Sequence, residues 1–593
     1  MRDDPAPATD HPEKEASFDL TDRPWLPVLL LDGTETELSL REVFAQAREI
    51  RRLAGDVPTQ DFALLRLLLA ILHDALDGPR DLDDWAELWE GDEPFSTVPG
   101  YLDQHRERFD LLHPVQPFFQ VADLRTAKDE VFGLNRIVAD VPNGHPFFTT
   151  RFPGVEKLSL AEAARWVVHA HAYDTSGIKT GVQGDPRVKG GKAYPQGVGW
   201  AGNLGGITAE GADLRETLLL NLIAADSRSA DGPGADLPAW RRPPCGPGAA
   251  DTAGRPAGVR DLYTWQSRRI RLHHDAASVH GVVLTYGDPL AQQNMQESEP
   301  MTGWRRSAAQ EKKLGRPLVY MPREHDPSRS AWRGLEALIA PRDQSTAAAG
   351  DAPSAVRPAV VVWLARLTTE RVLPKQTLIR LRTCGAVYGT QQSVIDEITE
   401  DALAMAVVLL GESDQRLAQE AIDAVADAER AVTALGDLAT DLTHAAGGES
   451  DSGRSTARHC GFAALDGPYR NWLAALHPGV NAHERRVAWQ RTARRESSCL
   501  AEEQLAGAGE AAWEGRVVDQ AKGQAWLNTA SAELWFRFRL KRCLPLAYES
   551  ATADGSGPSP SGTKTPETSE TAAITPPPTT DVLPGPESPK VPA

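Results

Sequence analysis

The sequence predicts an α+β chain: a large N-terminal part that mixes strands and helices, followed by a helical bundle. Three observations predict it. Before residue 390, extended segments broken by proline alternate with capped helical runs. After it, helical periodicity sets in and the charge turns strongly acidic. A length of 593 residues also exceeds what one hydrophobic core usually serves.

The first 16 residues are polar and acidic where a signal peptide would be basic and then apolar, and they read as a disordered leader. "FDLTDRPWLPVLLLDG" reads as an extended segment, because Pro24 and Pro27 exclude a helix interior, and it ends in an Asp-Gly turn. Ser39 and Glu42 form a capping-box pair ahead of "LREVFAQAREIRRL", whose apolar spacing predicts one helix through Leu53. "PTQDFALLRLLLAILHDAL" is apolar on most faces and predicts a buried helix. Its run from Phe62 to Leu72 is broken by Arg66 and is too short for a bilayer core of roughly 30 Å, so no membrane segment is expected. A second capping box, Ser159 and Glu162, opens "LAEAARWVVHAHAY" and delivers the chain into a segment rich in glycine and lysine.

Asp226 to Val259 is rich in Pro, Gly and Ala and predicts a long loop. Arg260 to Arg333 is strand-like and carries twelve Arg/Lys against eight Asp/Glu. From Val394 to His444 the pattern is helical, with twelve Asp/Glu against two Arg up to Asp441. A boundary near 390 follows, dividing 17–390 from a bundle over 391–548. "HERRVAWQRTARRES" and "QAWLNTASAELWFRFRLKR" have basic faces suited to the acidic helices. Beyond 548, the last 43 residues carry ten Pro and thirteen Ser/Thr and read as disordered.

A formal charge of -19 excludes a protein that coats nucleic acid over its whole surface, so any such site is local. The five cysteines are never closer than 39 residues, which suggests neither a disulfide framework nor a CxxC zinc site and fits a reducing cytoplasm. One segment stands out. Between Gly177 and Gly206 lie ten glycines interleaved with Lys179, Arg187, Lys189 and Lys192. No GxxxxGK[ST] spacing is present, which argues against a phosphate-binding P-loop. Glycine permits close approach of main chain to a narrow groove, and it equally suits a long surface loop.

His169 and His171 stand two apart on a helix and cannot share an ion. His273-His274-Asp275 leaves a metal-dependent hydrolase open, with no acidic cluster nearby. Gln391-Gln392-Ser393 reads as a polar helix start, although glutamine can also reach or wedge between base edges.

In order along the chain, "DRPWLPV", "PTQDFALLRLLLAIL", "HPVQPFFQ", the glycine segment ending in "DLRETLLLNLI", "DLYTWQ" and "GAVYGTQQSVIDE" resemble the CasA family. These are the large subunits of the type I-E CRISPR surveillance complex Cascade, and the resemblance covers nearly all of residues 18 to 548. It implies a mixed α/β domain joined to a four-helix bundle, with no catalytic residues and no cofactor; the cysteine-rich zinc cluster of some relatives has no counterpart here, so no structural metal is expected. It further implies recognition of the protospacer-adjacent motif in double-stranded DNA through the minor groove, and initiation of the R-loop. The implied partners are the other Cascade subunits with their guide RNA and a separate helicase-nuclease.

Gly177, Ile178, Lys179, Thr180 and Gly181 fall at the family's glycine loop, and Gln391, Gln392 and Ser393 at its wedge. Lys179, Lys189 and Lys192 would contact phosphates. A lysine finger of some relatives has no counterpart between Tyr286 and Pro300, so Arg305 or Arg306 would take its place, or the motif preference differs. The loop touching the guide end is expected between Gly133 and Arg151. Two other readings remain: a metal-dependent nucleic-acid hydrolase, and a purely structural adaptor whose acidic bundle binds basic partners.

Overall fold

The computed structural model describes residues 16–139, 154–227, 235–339, 353–411, 415–449, 452–520 and 523–549. Nearly all of the leader and tail, and the part of the guide-loop region from 140 on, lie outside the described residues. Leu26–Leu30 is the centre of a three-stranded antiparallel sheet between Glu35–Leu38 and Ile50–Leu53. The Asp-Gly turn closes as the sequence predicts, with the Asp32 carboxylate accepting the Thr34 amide at 2.8 Å.

The Ser39–Glu42 capping box forms, but its helix stops at Ala45. The helix expected to continue through Leu53 gives way to the strand Ile50–Leu53, because a sheet partner is at hand. Leu53 faces Val28 and Arg52 faces Leu29, while Arg51 reaches the Glu210 carboxylate and the Gly211 carbonyl. Ladder bonds and cross-strand contacts outweigh a helix preference of roughly a few tenths of a kcal/mol per residue.

Pro58–Ala75 is buried along almost its whole length. Its one arginine, Arg66, is neutralised by Glu299 in a two-pronged pair at 2.8 and 2.9 Å, and Trp200 Nε1 donates to the same carboxylate at 2.7 Å. Leu160–Tyr173 starts at the second predicted capping box and is also buried.

Two hairpins follow, Arg268–His274 with Ser278–Tyr286 and Leu378–Tyr388 with Ile395–Ala406. Leu378–Tyr388 also pairs with Gly206–Glu210, which makes it the central strand of its sheet. The helical reading from Val394 is corrected here. Ile395–Ala406 is rich in helix formers, but eleven register pairs, from Leu378 with Ala406 to Tyr388 with Ile395, hold it extended.

The bundle therefore begins at Gln415 rather than at 391. Its helices are Gln415–Ala446, Ser452–Ala474, Ala482–Ala506 and Thr529–Cys543. On the first, Leu417, Ala421, Ala424, Ala428, Ala431, Leu435, Leu438 and Leu442 alternate steps of four and three, and all are buried. The acidic and basic helices meet as their charges suggest: Arg486 pairs with Asp427 at 2.5 Å and Arg539 with Asp441 at 2.8 Å. Residues from Phe18 to Ala547 share one continuous apolar core, so residue 390 is no break in packing. Among the described residues, no helix is long and apolar enough to cross a membrane.

Candidate nucleic-acid interface

The glycine segment leaves the buried helix at Asp174 and forms a small hairpin in which Lys179 and Thr180 pair with Ala193 and Lys192. Its far end is a tight turn. Lys189 and Lys192 exchange backbone bonds at 3.0 and 3.1 Å around Gly190 and Gly191, whose φ angles of +56° and +72° are the left-handed values such a turn demands. Both lysines are exposed, and neither forms an ion pair among the described residues.

Before the hairpin lies the strip Ser176-Gly177-Ile178. Ile178 is 60% exposed, an apolar side chain offered to solvent. Gly177 is not required by the fold: a Cβ there would meet Ser393 at an ordinary 3.5 Å, and its φ is not left-handed. Gly199 differs, since a Cβ there would come within 2.4 Å of the Ala172 main chain.

Lys179 departs from the sequence reading. Its ammonium turns inward to Asp174 at 2.7 Å and only 9% of the side chain is exposed, so it is not placed to contact a phosphate. Burial pulls its pKa down, against the attraction of Asp174. Burial pushes Asp174 up, but Lys179 and Arg268 more than offset this, leaving it below the ordinary carboxylate value.

Gln391 and Gln392 lie at the tip of the long hairpin, not at a helix start. Gly389 closes that turn, its amide donating to Val394 O at 3.1 Å, beside the Asp396 carboxylate where a side chain would clash. Both glutamines take φ near +55°, a left-handed backbone costing on the order of 1 kcal/mol each for a residue with a side chain. Gln391 and Ser393 are exposed and Gln392 is half-buried. The tip touches the strip: Ser176 N donates to Gln392 O at 2.7 Å. Two segments more than 200 positions apart thus form one surface.

Arg305 and Arg306 are exposed on the strand Trp304–Arg306, and Arg306 is drawn to Glu311 at 2.6 Å. That strand is fastened near Gly205 and Gly206 through Thr302, beyond the end of the small hairpin. The lysine-free loop after Tyr286 instead sends Gln292 Nε2 to Asn203 Oδ1 at 2.5 Å.

The histidines find other work. His169 bonds Thr59 at 2.9 Å and His171 the Phe119 carbonyl at 2.8 Å, and burial lowers both to about 3, so both are neutral parts of the core. The Asp275 carboxylate accepts the Ala277 and Ser278 amides at 2.7 Å, which commits it to its hairpin turn. Sequence reasoning missed Asp174, Arg268 and Tyr286, which hold the strip and its ends from the protein side. The one hint was a charged residue, Asp174, between a buried helix and a glycine segment.

The profile described as CRISPR-associated protein Cse1 matches residues 19–499. The chain belongs to the Cse1 family. A solved Cse1 from Thermobifida fusca is 60% identical, with a TM-score of 0.83 over 90% of this chain and 99% of that one. A CasA/Cse1 of Thermus thermophilus is 31% identical over 344 residues, 56% of this chain, and the match spans 62% of that relative's length. A chain of a solved CRISPR RNA-guided surveillance complex shares the fold, with 20% identity and a TM-score of 0.56 over 82% of this chain and 98% of that one. The mixed α+β architecture described above is thus a Cse1 architecture.

Proposed function

We propose that this Cse1 chain is the large subunit of a Cascade-type, guide-RNA surveillance complex, where it reads a short motif in duplex DNA and starts its opening. The observation that carries the reading is the 2.7 Å bond from Ser176 N to Gln392 O, which sets the strip around Gly177 beside two amide-bearing residues, Gln391 exposed and Gln392 half-buried. The minor groove is roughly 6 Å wide and shows a degenerate acceptor pattern, so main chain at Gly177 can enter it and tolerate related motifs. Lys189 and Lys192, at the tip of the small hairpin, supply phosphate contacts that position without specifying.

Gln391 and Gln392 then part the first base pair, replacing some of its hydrogen bonds against an unstacking cost of about a few kcal/mol. Guide pairing does the remaining reading, because heteroduplex and duplex are nearly balanced in energy. The subunit itself cuts nothing; cleavage falls to a separate helicase-nuclease recruited once the R-loop has formed.

The test uses the assembled complex with guide RNA. Gln392→Ala is expected to slow R-loop formation about tenfold or more with assembly intact, and Lys189→Ala with Lys192→Ala to flatten the salt dependence of duplex binding by about two units. Unchanged R-loop rates for Gln392→Ala would refute the wedge.

A further inference from the structure

The middle of the segment from Ser176 to Gln196 is tied down by the Gln183 amide donating to Arg125 O and by Arg187 donating to Tyr286 O and Gly287 O, while its two ends are joined around one buried guanidinium. The Arg268 side chain is only 2% exposed. One of its nitrogens donates to Asp174 O at 2.8 Å and Thr175 O at 3.0 Å on the outgoing side, and to Gly197 O at 3.1 Å on the returning side. Its Nε bonds the Asp174 carboxylate, which also receives Lys179 at 2.7 Å. Gly199 N donates to Asp174 O at 2.9 Å, and Gly197 N to Ser176 Oγ at 3.1 Å.

Tyr286 completes the arrangement. Its ring lies under both cations, 4.9 Å from Arg268 and 5.5 Å from Lys179, and its hydroxyl donates to Gly177 O at 2.6 Å. Every one of these bonds reaches the strip or its two ends from the protein side. Ile178 is left exposed, and Gly177 is half-buried beside Ser393.

We propose that Asp174, Lys179, Arg268 and Tyr286 are positioning residues. They form a charged clasp that sets the height of the strip and, through Ser176, its register against Gln392. This rests on the reading of the strip as the duplex contact. Buried ions seldom add stability over an apolar replacement, and their best-attested return is a single defined geometry. That geometry is what a rigid main-chain reader needs, since a strip free to retreat would lose contact with the groove floor. Lys179 therefore serves the duplex from below, without touching a phosphate.

The test compares Tyr286→Phe and Lys179→Met in the assembled complex. Tyr286→Phe deletes one hydroxyl, and Lys179→Met leaves Asp174 and Arg268 as a neutral pair, so both are expected to fold with an unchanged melting temperature. Hydrogen exchange at Ser176 to Lys179 should rise at least about tenfold in each, with exchange in the bundle helices unchanged. R-loop formation should slow by a similar factor, while the salt slope of duplex binding stays at the parent value. Unchanged exchange at the strip in both variants would overturn the clasp. A salt slope lowered by about one unit in Lys179→Met would overturn it too, since that marks a lost phosphate contact. Faster exchange with unchanged R-loop formation would uphold the clasp and refute the strip as the duplex contact.

Discussion

Replacing Gly177 by Ala separates what the fold requires from what a duplex would require. A Cβ at residue 177 would lie 3.5 Å from Ser393 Cβ and 3.7 Å from its Cα, ordinary van der Waals distances, and the backbone there is not left-handed. The folded state should therefore accept the methyl group without strain. The unfolded chain loses freedom on the same change, worth about 0.4–1 kcal/mol in favour of folding. Gly199→Ala is the contrasting control. Its Cβ would sit 2.4 and 2.5 Å from the Ala172 carbonyl carbon and oxygen, an overlap with main chain that costs about 1–3 kcal/mol or more.

Denaturant unfolding of the purified chain is expected to show Gly177→Ala at or slightly above the parent and Gly199→Ala well below it. Against a groove roughly 6 Å wide, however, one methyl on the approaching strip is a large obstacle. R-loop formation by the Gly177→Ala complex should fall at least about tenfold although its stability does not. If Gly177→Ala destabilised the fold by more than about 1 kcal/mol, the glycine would be explained by packing alone and the reasoning would fail. Equal R-loop rates for parent and variant would refute close approach at this residue.

Two further predictions concern the core. Arg66→Met strips the buried Glu299 carboxylate of its two-pronged partner and leaves it only Trp200 and the Met301 amide, so unfolding should show a loss of about 3–5 kcal/mol. His169 and His171 have folded pKa values lowered by burial to about 3, so the unfolded chain takes up protons first as pH falls. Their contribution is complete above the ordinary histidine value near 6.5 and is lost as pH falls from there toward 3, each by up to about 1.4 kcal/mol per pH unit. His169→Gln should flatten the pH dependence of stability measured between pH 6.5 and 4, and an unchanged slope would contradict a neutral buried histidine.

What could be read from the sequence was whatever completes itself within a few residues. Both capping boxes, the Asp32-Gly33 turn, the buried helix with its lone Arg66 and the alternating stripe of the first bundle helix carry their causes in neighbouring side chains. The glycine strip and the glutamine pair were visible as compositions. Their meeting was not, because the Ser176 to Gln392 bond joins residues brought together only by the fold.

Tertiary structure decided three matters against local preference. Ile50–Leu53 and Ile395–Ala406 have helical patterns but became strands, since a waiting sheet edge offers bonds that intrinsic propensity cannot match. Lys179 alternates with glycine like a surface lysine, yet Asp174 and the Tyr286 ring draw its ammonium inward. A lysine's four-carbon stem can point either way, and the position of an opposite charge, fixed only when distant strands assemble, chooses between them.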